Sequence, residues 1–222
     1  MIELANLKKR IISAAILIPL VLFAVALGGF VFNLLVAIFA LSLFYEAFLI
    51  LKKQKKLALL EKHIGYLLAY IAIPSACLIS LRNSAGGVDA LIFSLALVWI
   101  TDIAGFFGGK HFGGPKLAEK ISPNKTISGA VSGLIACILV AAVTFLFTNN
   151  ISFLGFIAIA LVISIFAQLG DLFESFLKRK LAIKDSGNLI PGHGGLFDRV
   201  DGLLFALPIA YLIFSLTYSN IF

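Results

Sequence analysis

Charge is scarce in this chain. Only 13% of its residues are Asp, Glu, Lys or Arg, about half of the roughly 25% usual in a soluble domain, while 61% are hydrophobic. So little polar surface cannot cover a globule in water, and the class that remains is an all-α integral membrane protein. Cysteine is nearly absent. Cys77 and Cys137 each lie inside an apolar run, far from any metal-ligand spacing, which excludes a disulfide framework and leaves both as small packing residues. There is no internal repeat, low-complexity tract or soluble segment, so residues 1–222 read as one membrane domain. Within it, residues 1–97 are the less characteristic helices and 98–222 carry the chemistry.

The net charge of +7 does not imply nucleic acid. Nucleic-acid binding needs a continuous basic face, whereas here Lys and Arg form short clusters between apolar runs of bilayer-crossing length. Seven such segments can be drawn: Ile11–Leu27, Phe30–Leu51, Ile64–Leu81, Val88–Gly108, Ile127–Phe147, Ile151–Leu172 and Gly202–Ser219. All are expected to be helices, since backbone in lipid must satisfy its own hydrogen bonds. With Lys8, Lys9 and Arg10 in the cytoplasm, the Lys52–Lys62, Lys110–Lys125 and Lys178–Arg199 loops are also inside. Of 18 basic residues only Arg82 falls outside, a bias that orients the bundle. The first segment also has the features of a signal peptide, with Ala24-Val25-Ala26 as a cleavage site, although the next span follows closely enough for a helical hairpin. Leu57–His63 reads either as a short interfacial helix or as loop.

Acids near membrane depth are costly and mark sites. Asp102 lies near the inner end of the fourth segment, Asp171 and Glu174 at the end of the sixth, and Asp198 and Asp201 just before the seventh, all at the inner side of this topology. Asp171, Glu174, Ser175 and Lys178 stand at i, i+3, i+4 and i+7, one polar stripe on one helix face. Clustered carboxylates call for cations, and Mg2+, a hard ion taking carboxylate and phosphate oxygens, is the natural candidate. The alternative is that these acids anchor loops through salt bridges, an option most open for Glu174 and Asp201.

Two inner loops are rich in glycine and basic residues. The first, Gly105–Thr126, is not a Walker A loop, because Ala104 and His111 break the pattern. Its glycines and Lys110, Lys116, Lys120 and Lys125 still suit phosphates, unless the glycines only turn the chain and the lysines only set topology. The second contains Ser175, Lys178-Arg179, Lys184-Asp185, Pro191-Gly192-His193-Gly194-Gly195 and Asp198-Arg199-Val200-Asp201.

This second stretch resembles the signature of the phosphatidate cytidylyltransferase family, element by element. Asp102, the Gly105–Lys110 run and Ile121-Ser122-Pro123-Asn124-Lys125-Thr126 resemble its middle block, where Ser128 stands in place of the usual Glu. The resemblance is specific from about Trp99 onward and only general in the first 90 residues. The chain also looks short for the family, as if a peripheral pair of spans were trimmed.

The resemblance implies a CTP-dependent nucleotidyltransferase in the inner membrane, making CDP-diacylglycerol and pyrophosphate from CTP and phosphatidic acid. It implies Asp171 and Asp198 as Mg2+ ligands, with Glu174 beside them, in a site for two metals about 3.5–4 Å apart. Lys178, Arg179, Lys184 and Arg199 are the phosphate-gripping candidates, Arg as a bidentate fork and Lys as a point charge. Asp185 and Asp201 complete the catalytic signature. Ser175, Lys125, Thr126, Gly194, Gly195 and Asp102 are candidate substrate contacts, and Lys180 is a topology determinant. His193 is a nucleotide or phosphate contact without a proton-transfer role, since the phosphate nucleophile is already ionised. The partners are CTP, phosphatidic acid and the bilayer, and a homodimer is compatible. Two rivals stand against this reading. A polyprenol kinase would lack the full Ser175-to-Asp201 pattern, and a cation transporter would place acids mid-bilayer on broken helices.

Overall fold

A large side chain facing lipid costs nothing, so membrane helices put small residues at their contacts and large ones outside. The computed structural model, which describes residues 17–147, 152–183, 185–187 and 195–217, follows that logic. In chain order its helices are α1 (Leu17–Leu27), α2 (Gly29–Lys53), α3 (Leu57–Asn83), α4 (Gly87–Phe112), α5 (Ile127–Phe145), α6 (Phe153–Leu181) and α7 (Asp201–Thr217). Five of them, α2 to α6, are long and apolar enough to cross a membrane; α1 and α7 are shorter among the described residues. Lys8, Lys9, Arg10 and the 148–150 loop lie outside the described residues.

On α5, Gly129, Gly133, Cys137 and Ala141 are buried, four residues apart. Val131, Ile135, Leu139 and Val143 are exposed on the opposite side, Leu139 by 63%. That inversion of the soluble pattern is stable only against hydrocarbon. The small stripe lets α5 sit backbone-close to α4: a Cβ on Gly129 would lie 2.6 Å from the Gly105 carbonyl oxygen, and one on Gly133 would lie 3.0 Å from that of Thr101. Deeper along this interface, Thr101 Oγ1 lies 2.8 Å from Ser164 Oγ and 3.0 Å from Cys137 Sγ, pinning α4, α5 and α6 together. Helix α4 touches α3, α5, α6 and α7 and forms the centre of the bundle.

Several sequence expectations change here. Helix α4 runs to Phe112, so Gly105, Gly108 and Gly109 are helical rather than loop glycines; their missing side chains serve the contact with α5. The rest of that loop is an antiparallel hairpin of β1 (Lys116–Ala118) and β2 (Ser122–Thr126), pairing Lys116 with Thr126 and Ala118 with Ser122. Leu57–His63 is neither loop nor a separate helix but the start of α3. Helix α6 continues to Leu181, which keeps Ser175 and Lys178 on the expected helical stripe and makes Arg179 and Lys180 helical as well; the basic last turn suits the helix's negative end. Ala24-Val25-Ala26 lies within α1, and Val25 is buried in the core.

Arg82, the exception to the charge pattern, has a local reason to be where it is. Its Nε donates to the Val25 carbonyl at 3.1 Å, satisfying an otherwise orphaned acceptor at the end of α1. Its guanidinium fills the space above Gly28, where a Cβ would lie 1.7 Å from Nη2, and Gly28 has φ +59. Only glycine meets both demands.

Candidate active site

Four elements deliver polar side chains to one end of the bundle. There a cavity of about 640 Å³ opens between the end of α4, the hairpin, α6 and the start of α7, within the usual size of ligand sites. Asp102 and Lys110 reach it from α4, Lys116 and Lys125 from the hairpin, and Asp171 from α6. Asp198 and Arg199 close it from the turn before α7, and Asp201 from the first residue of α7. Helices α4 and α6 run unbroken through Asp102 and Asp171, unlike the interrupted helices of a transport pathway.

Close backbone approach sets this geometry. A Cβ on Gly170 would lie 2.3 Å from the Asp201 carbonyl oxygen, so only glycine there lets α7 begin against α6 and brings Asp201 beside Asp171. Thr126 caps α5, its Oγ1 accepting from Gly129 N at 3.1 Å. Ser128 Oγ donates to the Gly113 carbonyl, tying the chain after α4 to the first turn of α5.

The charges pair in two sets. Lys125 Nζ lies 2.5 Å from Asp171 Oδ2 in the cavity, both partly exposed. Lys178 Nζ lies 2.5 Å from Glu174 Oε2 and 2.7 Å from Asp198 Oδ1. The other oxygen of Asp198 accepts from Ser186 N at 3.0 Å, Ser186 Oγ at 2.8 Å and Gly195 N at 2.9 Å. Burial disfavours the charged form of Asp198, but Lys178, the Gly195 N–H and Ser186 outweigh it and hold its carboxyl below the ordinary value. On the far side of Lys178 lies a second cavity of about 580 Å³, lined mainly by apolar side chains of α2, α3 and α6 and bounded by Glu174, Lys178 and Ser186. The Lys178–Asp198 pair is thus the partition between a polar and an apolar chamber.

A family model described as the cytidylyltransferase family matches residues 50–217. The chain belongs to the cytidylyltransferase family. It is 36% identical to the phosphatidate cytidylyltransferase of Brucella suis over 94% of this chain and 93% of that protein. It is 37% identical to that of Rickettsia bellii over 94% of this chain and 91% of the relative. The Bacillus subtilis protein of the same name is 39% identical over 66% of this chain and 55% of its own length. Similarity therefore extends well before Trp99, further than the motifs alone indicate. With its apolar helices, this cytidylyltransferase-family chain is a multi-pass membrane protein.

Against this family background, the motif residues sort by position. Asp102, Asp171, Asp198, Arg199, Asp201, Lys125 and Thr126 share the polar cavity. Ser175 Oγ lies 3.5 Å from Asp171 Oδ1 on the expected stripe. Arg179 is exposed, and its Nε donates to the Ile121 carbonyl at 3.2 Å, which makes it a fastener of the hairpin. Lys180 lies over the Phe176 ring, 4.7 Å from its centre. Asp185 is exposed beside the buried Ser186. Gly195 is buried where a Cβ would lie 1.9 Å from Ser186 Oγ. Lys184, His193 and Gly194 lie outside the described residues.

The three candidate metal acids, Asp171, Asp198 and Glu174, take different surroundings. Among the described residues no three carboxylate, His or Cys side chains group closely enough to hold an ion. Glu174 faces the apolar chamber with Lys178 as its counter-charge, and internal donors occupy both oxygens of Asp198. Salt bridges to lysine are seen for all three, Glu174, Asp198 and, through Lys125, Asp171. The acids facing the polar cavity, Asp102, Asp171 and Asp201, lie within electrostatic reach of one another. Such a donor set fits an ion held jointly with substrate phosphates, as Mg2+ commonly is, rather than an all-protein cage.

Glu46 was not visible as a site residue from the sequence. It is an acid in an apolar run of α2, 1% exposed, and its carboxylate accepts from the backbone of Leu196 and Phe197. The only signal was an intramembrane acid outside every motif.

Proposed function

We propose that this chain transfers the cytidylyl group of CTP to phosphatidic acid, giving CDP-diacylglycerol and pyrophosphate. The observation that carries the reading is the polar cavity, where basic and acidic side chains from four elements meet at one end of an apolar bundle. Membership of the family and the relatives' names support it.

A phosphatidate oxygen attacks the α-phosphorus of CTP, a new P–O bond forms, and the bond to the β-phosphate bridge breaks. Both reactants are anions, so charge neutralisation and alignment dominate the barrier. Lys110, Lys116 and Arg199 line the cavity where the triphosphate would lie, Arg199 with a planar fork and the lysines as point charges. Lys125, paired to Asp171 in the structure, exchanges that partner for a phosphate. Lys178, fixed between Glu174 and Asp198 at the partition, presents positive charge toward a lipid phosphate in the apolar chamber. No base is needed, because the nucleophile is already an anion. Bound Mg2+, with Asp171 as ligand and Asp102 and Asp201 beside it, would supply further neutralisation of phosphate charge.

The finer topology belongs to the same proposal: seven spans, the N-terminus and active site on the cytoplasmic face of the inner membrane, where CTP meets the lipid headgroup. The basic clusters favour it. Purified protein given phosphatidic acid, labelled CTP and Mg2+ is expected to form lipid-linked CMP, with Asp198→Asn strongly impaired. No labelled lipid from the wild type, or equal output from both proteins, would refute the proposal.

A further inference from the structure

Asp198 and Arg199 sit on a single 3-10 turn, Phe197–Arg199, whose leading amides have no acceptor within the turn, so something must hold them. Two successive amides go to one side chain: Leu196 N donates to Glu46 Oε1 at 2.9 Å, and Phe197 N donates to Glu46 Oε2 at 2.9 Å. Glu46 sits on α2, 1% exposed, and none of the ion pairs among the described residues includes it. A buried carboxylate is tolerated only when its hydrogen bonds are made, so these amides and Glu46 depend on each other.

The chain closes tightly around that carboxylate. A Cβ on Gly187 would lie 2.5 Å from Glu46 Oε1 and one on Gly195 would lie 2.6 Å from it. Residues 187 and 195, the described ends of the loop before α7, therefore meet at Glu46. From there the contacts run directly into the partition, because Gly195 N and Ser186 bind one oxygen of Asp198 and Lys178 binds the other. Phe197 adds a second anchor, its ring parallel to that of Tyr70 on α3 with centroids 6.3 Å apart.

We infer that Glu46 is a positioning residue for the transfer reaction, holding the 195–199 turn so that Asp198 orients Lys178. This rests on the cytidylyltransferase reading. Glu46 precedes the family match at residues 50–217, so the N-terminal helices contribute to the site through it. Two charge-assisted hydrogen bonds to consecutive amides set both the place and the direction of the turn.

The test uses full-length protein in detergent, as wild type, Glu46→Gln, Asp198→Asn and the double variant. A Gln amide offers one acceptor oxygen and turns an N–H2 donor toward the other amide. Hydrogen exchange at Leu196 and Phe197 is expected to quicken, and kcat to fall by about 10- to 100-fold with a smaller change in KM. In the Asp198→Asn background the same change should cost less than about threefold, since the group it positions is gone. A role confined to folding would lower thermal stability while leaving kcat per folded molecule and the exchange at 196–197 as in wild type, which overturns the inference. Losses that multiply in the double variant also overturn it. Inactive wild type would defeat the functional reading, while exchange at 196–197 still decides whether Glu46 holds the turn.

Discussion

At the residue scale, Lys178 and Asp198 act as one unit. Lys178 is the counter-charge of two carboxylates, with its side chain 18% exposed. Removing one partner of a largely buried pair leaves the others uncompensated, so Lys178→Met should destabilise the protein by about 3 kcal/mol and abolish turnover, read by thermal unfolding and by lipid-linked CMP formation. Asp198 has a folded-state pKa below its ordinary value. Its contribution to stability is therefore complete above the unfolded value of about 3.9 and lost as pH falls through the lower folded value. In unfolding measured against pH, the gap between wild type and Asp198→Asn should stay constant above about pH 4 and close below it. A gap unchanged well below that pH would mean that Asp198 is not held as an ion by these donors. The motif made both residues legible as functional. Their mutual pairing was not, because the two stand 20 positions apart in the chain.

At the element scale, the contact between α4 and α5 decides whether a cavity exists at all. Gly105 and Gly109 face Gly129 across it, and Thr101 faces Gly133, with backbone in the way of any larger side chain at 129 or 133. Backbone cannot rotate aside as a side chain can, so Gly129→Leu should separate the helices and lower the melting temperature by several degrees, for a cost of about 1–3 kcal/mol. The lipid-facing change Leu139→Ala should do far less, since Leu139 is 63% exposed to the hydrocarbon side. Equal effects from the two would mean that the small stripe is not the packing face. Glycine at four-residue spacing is visible in sequence, yet next to lysines it reads equally well as a phosphate loop. Which role holds depends on whether the helix continues to Phe112, a matter of tertiary contact with α5.

At the scale of the whole molecule, the bundle has two unlike ends. One gathers Glu46, the cavity acids and the basic hairpin; the other carries Arg82 on the carbonyls of α1. Single cysteines placed at Lys53 and at Ser84, in a chain with Cys77 and Cys137 replaced by Ala, test the orientation. A membrane-impermeant maleimide should label position 53 only from the cytoplasmic side and position 84 only from the other; the reverse pattern would invert the topology.

The apolar run lengths, the alternation of basic clusters and the signature after Ser175 were enough to read the membrane class, the number of candidate spans to within the short α1 and α7, and the family. These are properties of local composition, and local composition survives in one dimension. Tertiary structure alone decided which partners each charge takes. Glu174 and Asp198 share Lys178, Arg179 fastens a hairpin, and Glu46 reaches a turn 150 residues away. Electrostatic pairing depends on distance through space and on burial, and neither is written in the order of residues.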